Sequence, residues 1–215
     1  MKNIFIPSHP ILSHNLSLLR EKETPREIFL TAFQRASSIL IQEGFQFLPL
    51  EEKEIETPLT RTTAQKIDED YTYIIAPILR AGLAFTETAV NLLPQAHVIH
   101  IGMYRNEETK EPVWYYDKTP THFPKKTKIF ILDPMLATGG SSVACINLFI
   151  QKGIDQNDII FISLLSAPEG IKTVQEKYPD IKIITGSIDN HLNDKAYIVP
   201  GLGDAGDRYF NSLIP

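Results

Sequence analysis

The chain has 215 residues, room for one large or two small domains and for a substantial buried core. A hydrophobic fraction of 43% and a charged fraction of 22% are ordinary for a globular protein, and a formal charge of −5 argues against a nucleic-acid-binding surface. Cys145 is the sole cysteine, so no internal disulfide forms; no stretch approaches the roughly 20 apolar residues of a membrane span, and Pro7 breaks the N-terminus too early for a signal peptide, which makes the cytoplasm the expected compartment.

In chain order, Ile4, Phe5 and Ile6 predict a short strand, and residues 10–20 a helix that turns Ile11, Leu12, Leu16 and Leu19 to the core. Thr24, Pro25 and Glu27 read as a cap, a first-turn proline and a capping-box acid. They start a helix whose apolar face is Ile28, Phe29, Ala32, Ala36, Ile39 and Leu40, and which Gly44 is expected to end. Residues 48–59 are acidic and extended, a solvated rim. From Tyr71 the pattern becomes that of an α/β sheet. Residues 73–79 form an apolar strand with Arg80-Ala81-Gly82 as its exit turn, followed by a helix bearing Leu83, Phe85, Ala89, Val90 and Leu93. An arginine at the carboxyl end of such a strand lies where open parallel sheets bind ligands. Residues 97–103 form a further strand that turns at 104–109 and returns through the aromatic-rich segment 112–118 as a hairpin. Trp114, Tyr115 and Tyr116 there suit hydrophobic packing or a subunit contact at least as well as ligand stacking.

The stretch around which the rest is arranged begins at Lys128. Residues 129–132 form an isoleucine-rich run, too short for a helix and without alternation, as in a strand covered on both faces. It stops at Asp133. After a tight loop, Val143, Ile146, Phe149 and Ile150 recur at helical spacing, with Thr138 or Ser141 available as the cap. Such a strand–loop–helix presents unpaired amides, the positive end of a helix dipole, and two glycines that let an anion approach the main chain. It is a phosphate cradle, but without the lysine of a Walker A loop or the Gly-x-Gly-x-x-Gly of a dinucleotide fold. A carboxylate ahead of a phosphate turn suits a sugar phosphate, the acid facing hydroxyls or a metal; the plainer alternative is that Asp133 only caps the loop.

Beyond it, residues 159–165 form a strand, 168–177 a helix and 181–185 another strand. The segment 197–208, Tyr-Ile-Val-Pro-Gly-Leu-Gly-Asp-Ala-Gly-Asp-Arg, is a rigid loop poor in side chains whose backbone groups are free to read a flat ligand.

Asp133-Pro134-Met135-Leu136-Ala137-Thr138-Gly139-Gly140-Ser141 resembles the phosphoribosyl-pyrophosphate loop of the type I phosphoribosyltransferases, in the form found in uracil phosphoribosyltransferases. Pro77-Ile78-Leu79-Arg80-Ala81-Gly82-Leu83 and the terminal loop resemble the same family. The resemblance implies its α/β fold: a mostly parallel sheet flanked by helices, with a β-hairpin flap and a small hood. On this reading 1–215 is a single domain, with helices and an extended arm over 1–70 and the sheet core, flap and base loop over 71–215.

The implied activity is transfer of the phosphoribosyl group from phosphoribosyl pyrophosphate to N1 of uracil, giving UMP and pyrophosphate with Mg2+. By the resemblance, Arg80 and Arg105 bind the pyrophosphate, residues 133–141 the ribose phosphate, and Asp204 the donor or its magnesium, while Ile198, Gly203 and Ala205 contact uracil. Uracil's two carbonyls flanking an N–H are a pattern that backbone groups match, whereas cytosine would leave polar groups unpaired. Homodimers or larger assemblies, and GTP as an activator, are implied by the resemblance alone. The sequence departs from the family at Ala84-Phe85 (commonly Gly-Met), Asn106 (Asp), Asn190 (an acid) and Phe210-Asn211-Ser212 (Phe-Gly-Thr). An alternative of another class is a sensor of the donor or of UMP that binds without turnover.

Overall fold

The computed structural model describes residues 3–105 and 112–212; residues 106–111, among them Asn106 and most of the expected turn over 104–109, and the side chains of 104, 105 and 112 lie outside the described residues. In chain order the elements are β1 (Ile4–Phe5), α1 (Pro10–Arg20), α2 (Arg26–Phe45), β2 (Leu50–Glu56), β3 (Arg61–Ile67), β4 (Thr72–Leu79), α3 (Leu83–Leu92), β5 (His97–Val98) and β6 (Ile101–Arg105). There follow β7 (Pro112–Asp117), β8 (Thr127–Leu132), β9 (Met135–Leu136), α4 (Gly140–Gln151), β10 (Ile159–Ser166), α5 (Pro168–Lys177), β11 (Lys182–Ile188), β12 (His191–Leu192), β13 (Ile198–Val199) and α6 (Ala205–Phe210).

The main sheet runs β1-β11-β10-β8-β4-β6-β7, with β5 beside β4 and β9 beside β10. Every pairing in it is parallel except β6 with β7. The central strands are covered on both faces, and successive side chains sort to opposite sides. Phe130, Leu132, Ile75, Ile160, Ile162 and Ile184 meet α1, α2 and α3 through Leu16, Phe33, Leu40, Ile41 and Phe85. Their neighbours Ile129, Ile131, Ile74, Phe161 and Ile183 meet α4 and α5 through Ile146, Phe149, Ile171 and Val174. Each such side chain contributes about 1.5–3 kcal/mol by leaving water. These two layers, rather than the exposed ion pairs worth about 0–1 kcal/mol each, hold the sheet. Cys145 is buried in the second layer, and burial pushes its thiol well above the ordinary range, so it packs as a small hydrophobe.

Several expectations are corrected. Ile11 is 54% and Ile28 46% exposed; the buried face of α1 includes Asn15 and that of α2 includes Ser37. The capping box does not form: Pro25 is the N-cap of α2 without a side-chain bond, and the Thr24 hydroxyl donates to the Leu18 carbonyl at 2.6 Å, tying the α1–α2 connection. Gly44 does not end α2 but sits buried within its last turn against Ile162, and the helix runs on to Phe45. The acidic rim is one arm of a hairpin, β2 pairing antiparallel with β3 from Leu50↔Ile67 to Glu56↔Arg61. The expected strand over 97–103 is two: β5 pairs with β4, the chain steps at Ile99–His100, and β6 rejoins β4 at Ile78↔Ile101 before turning into its hairpin with β7. The core departures are benign, since Ala84 is buried and Phe85 packs edge-on against Phe33 at 5.2 Å.

Candidate active site

The loops that follow β4 and β8 of the main sheet meet the terminal segment around β13 in one cleft of about 200 Å³. It is lined by Ala81 after β4, by Asp133, Met135 and Ala137 after β8, and by Ile198, Gly203, Asp204 and Ala205 from the terminal loop. The anion side and the base side of the sequence reading therefore share a cavity, at the end of a parallel sheet where ligands bind.

The anion side is built by β8 and α4. Asp133 follows the last buried residue of β8, its N–H donating to the Ile162 carbonyl at 3.1 Å. The next residues then rejoin the sheet as β9, against Leu165 and Ser166. Pro134 and Leu136 are consequently structural: the Pro134 carbonyl accepts from Leu164 and Leu165, the Leu136 carbonyl from Ala167, and the Leu136 side chain is in the core. The main chain is freed only from Ala137 onward. Gly139, at φ 83°, is the N-cap of α4; neither Thr138 nor Ser141 caps it, a correction to the expectation. A Cβ on Gly139 would stand 2.9 Å from the Gly170 carbonyl oxygen, whereas one on Gly140 would meet only the Thr138 hydroxyl, at 3.8 Å. The first glycine sets the turn and the second leaves open approach to the amides that begin α4, whose positive end is bare of any side-chain cap.

Burial pushes the Asp133 carboxyl up to about 7, aided by the nearby Asp204 charge and opposed by the Met135 N–H it accepts. Because the folded value lies above that of an unfolded aspartate, the folded protein holds the extra proton between about pH 4 and pH 7, and stability falls as pH rises through that window. Asp133→Asn is therefore expected to raise the melting temperature near pH 8 and to leave it nearly unchanged near pH 4. Thermal melts of both proteins at the two pH values check this; equal shifts at both would remove burial of the charge as the cause.

Arg80 follows β4, is 62% exposed on its side chain, and reaches Asp207 Oδ1 with Nη2 at 3.3 Å, which places the guanidinium over the terminal loop. Arg105 is the last residue of β6, and its side chain lies outside the described residues. Asp204 caps α6, its carboxylate accepting the Asp207 N–H at 2.8 Å. Ile198 in β13 is 5% exposed and Ala205 3%. Asn211 adopts a left-handed conformation (φ 54°) as the C-cap of α6, so asparagine stands in for the family's glycine where the chain closes.

Sequence reasoning missed what holds the base loop. Arg20, at the end of α1, pairs with the buried Asp189, and both bond the backbone of Gly201. Arg208 donates to the carbonyls of Leu19, Leu202 and Glu21, and its guanidinium stacks 4.4 Å from the centre of the Phe29 ring. The only available signal was two arginines flanking glycine-rich or helix-terminal segments, which does not name a partner.

Among the described residues no group of three or more histidine, cysteine or acidic side chains forms a metal cage. Asp133 and Asp204 do line the same cleft. One or two carboxylates completed by donor oxygens is the usual environment of Mg2+.

At the carboxyl end of a mostly parallel sheet, an acid-led glycine turn after β8 and the terminal loop share one cleft, the arrangement that the resemblance to type I phosphoribosyltransferases implies. The family model described as uracil phosphoribosyltransferase matches residues 6–212. The chain is 44% identical over 212 residues to a uracil phosphoribosyltransferase of Lachnoclostridium phytofermentans, covering 99% of this chain and 100% of the relative. It is 47% identical over 207 residues to that of Streptococcus mutans, covering 96% and 97%. A solved structure of a protein from Aquifex aeolicus is similar at a TM-score of 0.88 and 35% identity, covering 99% of this chain and 100% of that one. The chain belongs to the uracil phosphoribosyltransferase family and is an enzyme of that family.

Proposed function

We propose that this enzyme transfers the phosphoribosyl group of phosphoribosyl pyrophosphate to N1 of uracil, with the two halves of the shared cleft holding the two substrates. The observation that carries the reading is that Asp133 and Ala205, far apart in sequence, line one cavity. The 5′-phosphate sits on the amides and hydroxyls of residues 137–141, where the bare start of α4 favours an anion. Asp133, ionised once the donor's hydroxyls and cation arrive, holds the ribose. Arg80 and Arg105 take the pyrophosphate. A magnesium ion would be held by donor oxygens with Asp133 or Asp204, and would neutralise pyrophosphate charge.

As the C1′–O bond breaks, positive charge grows on the ribose and negative charge on the departing pyrophosphate. Fixed cations at the leaving group stabilise that state more than the bound substrate. Uracil N1, aligned by the backbone of residues 198–205, forms the new bond to C1′ and releases its proton, giving UMP. β6 and β7 pair antiparallel, and by the resemblance this pair is the flap that would keep water from the forming cation. The family match and the relatives that carry the same name support uracil and phosphoribosyl pyrophosphate as the substrates.

Incubation with labelled uracil, the donor and Mg2+ is expected to yield labelled UMP and one pyrophosphate per UMP, with cytosine a poor substitute. Tight binding of donor and UMP without any product would instead mark a sensor.

A further inference from the structure

We propose that Arg20 and the buried Asp189 form a positioning clamp that sets the shape of the base loop and so tunes the affinity and selectivity for the pyrimidine, without touching it. The proposal rests on the assignment of residues 198–205 to the base.

Arg20 meets Asp189 as a two-pronged pair, Nη1 to Oδ2 at 2.7 Å and Nη2 to Oδ1 at 2.6 Å. The same two groups seize both polar atoms of one peptide residue: Arg20 Nη1 donates to the Gly201 carbonyl at 2.9 Å, and the Gly201 N–H donates to Asp189 Oδ2 at 2.8 Å. Gly201 adopts φ 61°, and a Cβ there would lie 2.1 Å from the Ile198 carbonyl oxygen. The turn that follows Ile198 is thus held open in one geometry, two residues ahead of Gly203 and four ahead of Ala205, which line the cleft.

Asp189 leaves only 2% of its side chain exposed and takes a further hydrogen bond from the Ser187 hydroxyl at 3.1 Å. Burial alone would raise its carboxyl, but Arg20 and the Gly201 N–H outweigh that and hold it below the ordinary carboxylate range. It is ionised, hydrogen-bonded and fixed. On the other side of the loop, Arg208 holds the Leu202 carbonyl at 2.9 Å and reaches back to the end of α1. A slot that reads a base by its backbone has no side chain to swap for selectivity, so its discrimination lies in where the main chain is held. Misplacement by about 1 Å costs as much as 100-fold in such sites.

The test is Arg20→Lys, which keeps the charge but cannot make both carboxylate prongs and the Gly201 bond at once. Hydrogen–deuterium exchange on the ligand-free protein is expected to speed up in residues 198–205 and to stay unchanged in β8. Steady-state kinetics are expected to show KM for uracil raised by about 10-fold or more, KM for the donor within about 2-fold, and weaker discrimination against cytosine. Ser187→Ala, which removes one bond and leaves the ion pair, serves if the lysine variant fails to fold, with a smaller change of the same pattern. Unchanged exchange in 198–205, or equal changes in the two KM values, overturns the clamp. If wild-type protein makes no UMP, the transferase reading fails, and exchange together with titration of UMP still decides whether Arg20 shapes the loop.

Discussion

Replacing Arg80 with alanine is expected to lower kcat/KM by about 100- to 1,000-fold, the usual consequence of removing one fixed group that meets transition-state charge. The loss should fall on kcat and on donor affinity, with uracil binding nearly untouched. Stability should hardly move, since among the described residues Arg80 pairs with Asp207 in a contact open to solvent. Calorimetric titration of the donor, single-turnover kinetics and a melting curve separate these effects. Arg80→Lys should recover part of the rate, since it restores charge without the planar fork. Turnover equal to wild type in the alanine variant would place the pyrophosphate elsewhere.

Gly201→Ala is expected to fail on the opposite substrate. The added Cβ meets a backbone oxygen at 2.1 Å, and the positive φ is itself costly for alanine, so Ile198 and the turn behind it must shift. The shift also pulls the Gly201 N–H and carbonyl away from Asp189 and Arg20. UMP and uracil binding should weaken by about 100-fold or more. Binding of inorganic pyrophosphate with Mg2+ should remain, because the α4 start and Arg80 are not displaced. Paired titrations of UMP and pyrophosphate check this; a parallel loss of both would mean that the variant has unfolded the cleft rather than the base half alone.

How much of this was legible in the sequence depended on the kind of physics involved. The central strands were plain because double-sided burial demands unbroken apolar runs, as in residues 129–132 and 159–165. The β2–β3 hairpin was only half seen. Its arms carry Glu51, Glu52, Lys53, Glu54 and Glu56 opposite Gln65, Lys66 and Arg61, so backbone pairing and contacts such as Lys53 with Glu51 and Glu69 hold it, with no apolar alternation to read. Of the site, the glycines and acids at strand ends could be placed from the sequence, and the structure brings Asp133, Gly203, Asp204 and Ala205 to one cleft. The α4 cap was misassigned since Thr138, Gly139 and Ser141 all suit such a position, and only the packing of Gly139 against Gly170 selects one. The Arg20–Asp189 pair spans 169 positions, and nothing local at either residue announces the other.

That span bears on how the enzyme is made. The anion nest needs little beyond β8, α4 and their neighbours, whereas the base loop takes its shape from a residue 181 positions upstream. Chain order alone then sets a sequence of events in synthesis: β8 and α4 emerge before residues 198–205, and that loop reaches its geometry only by returning to α1.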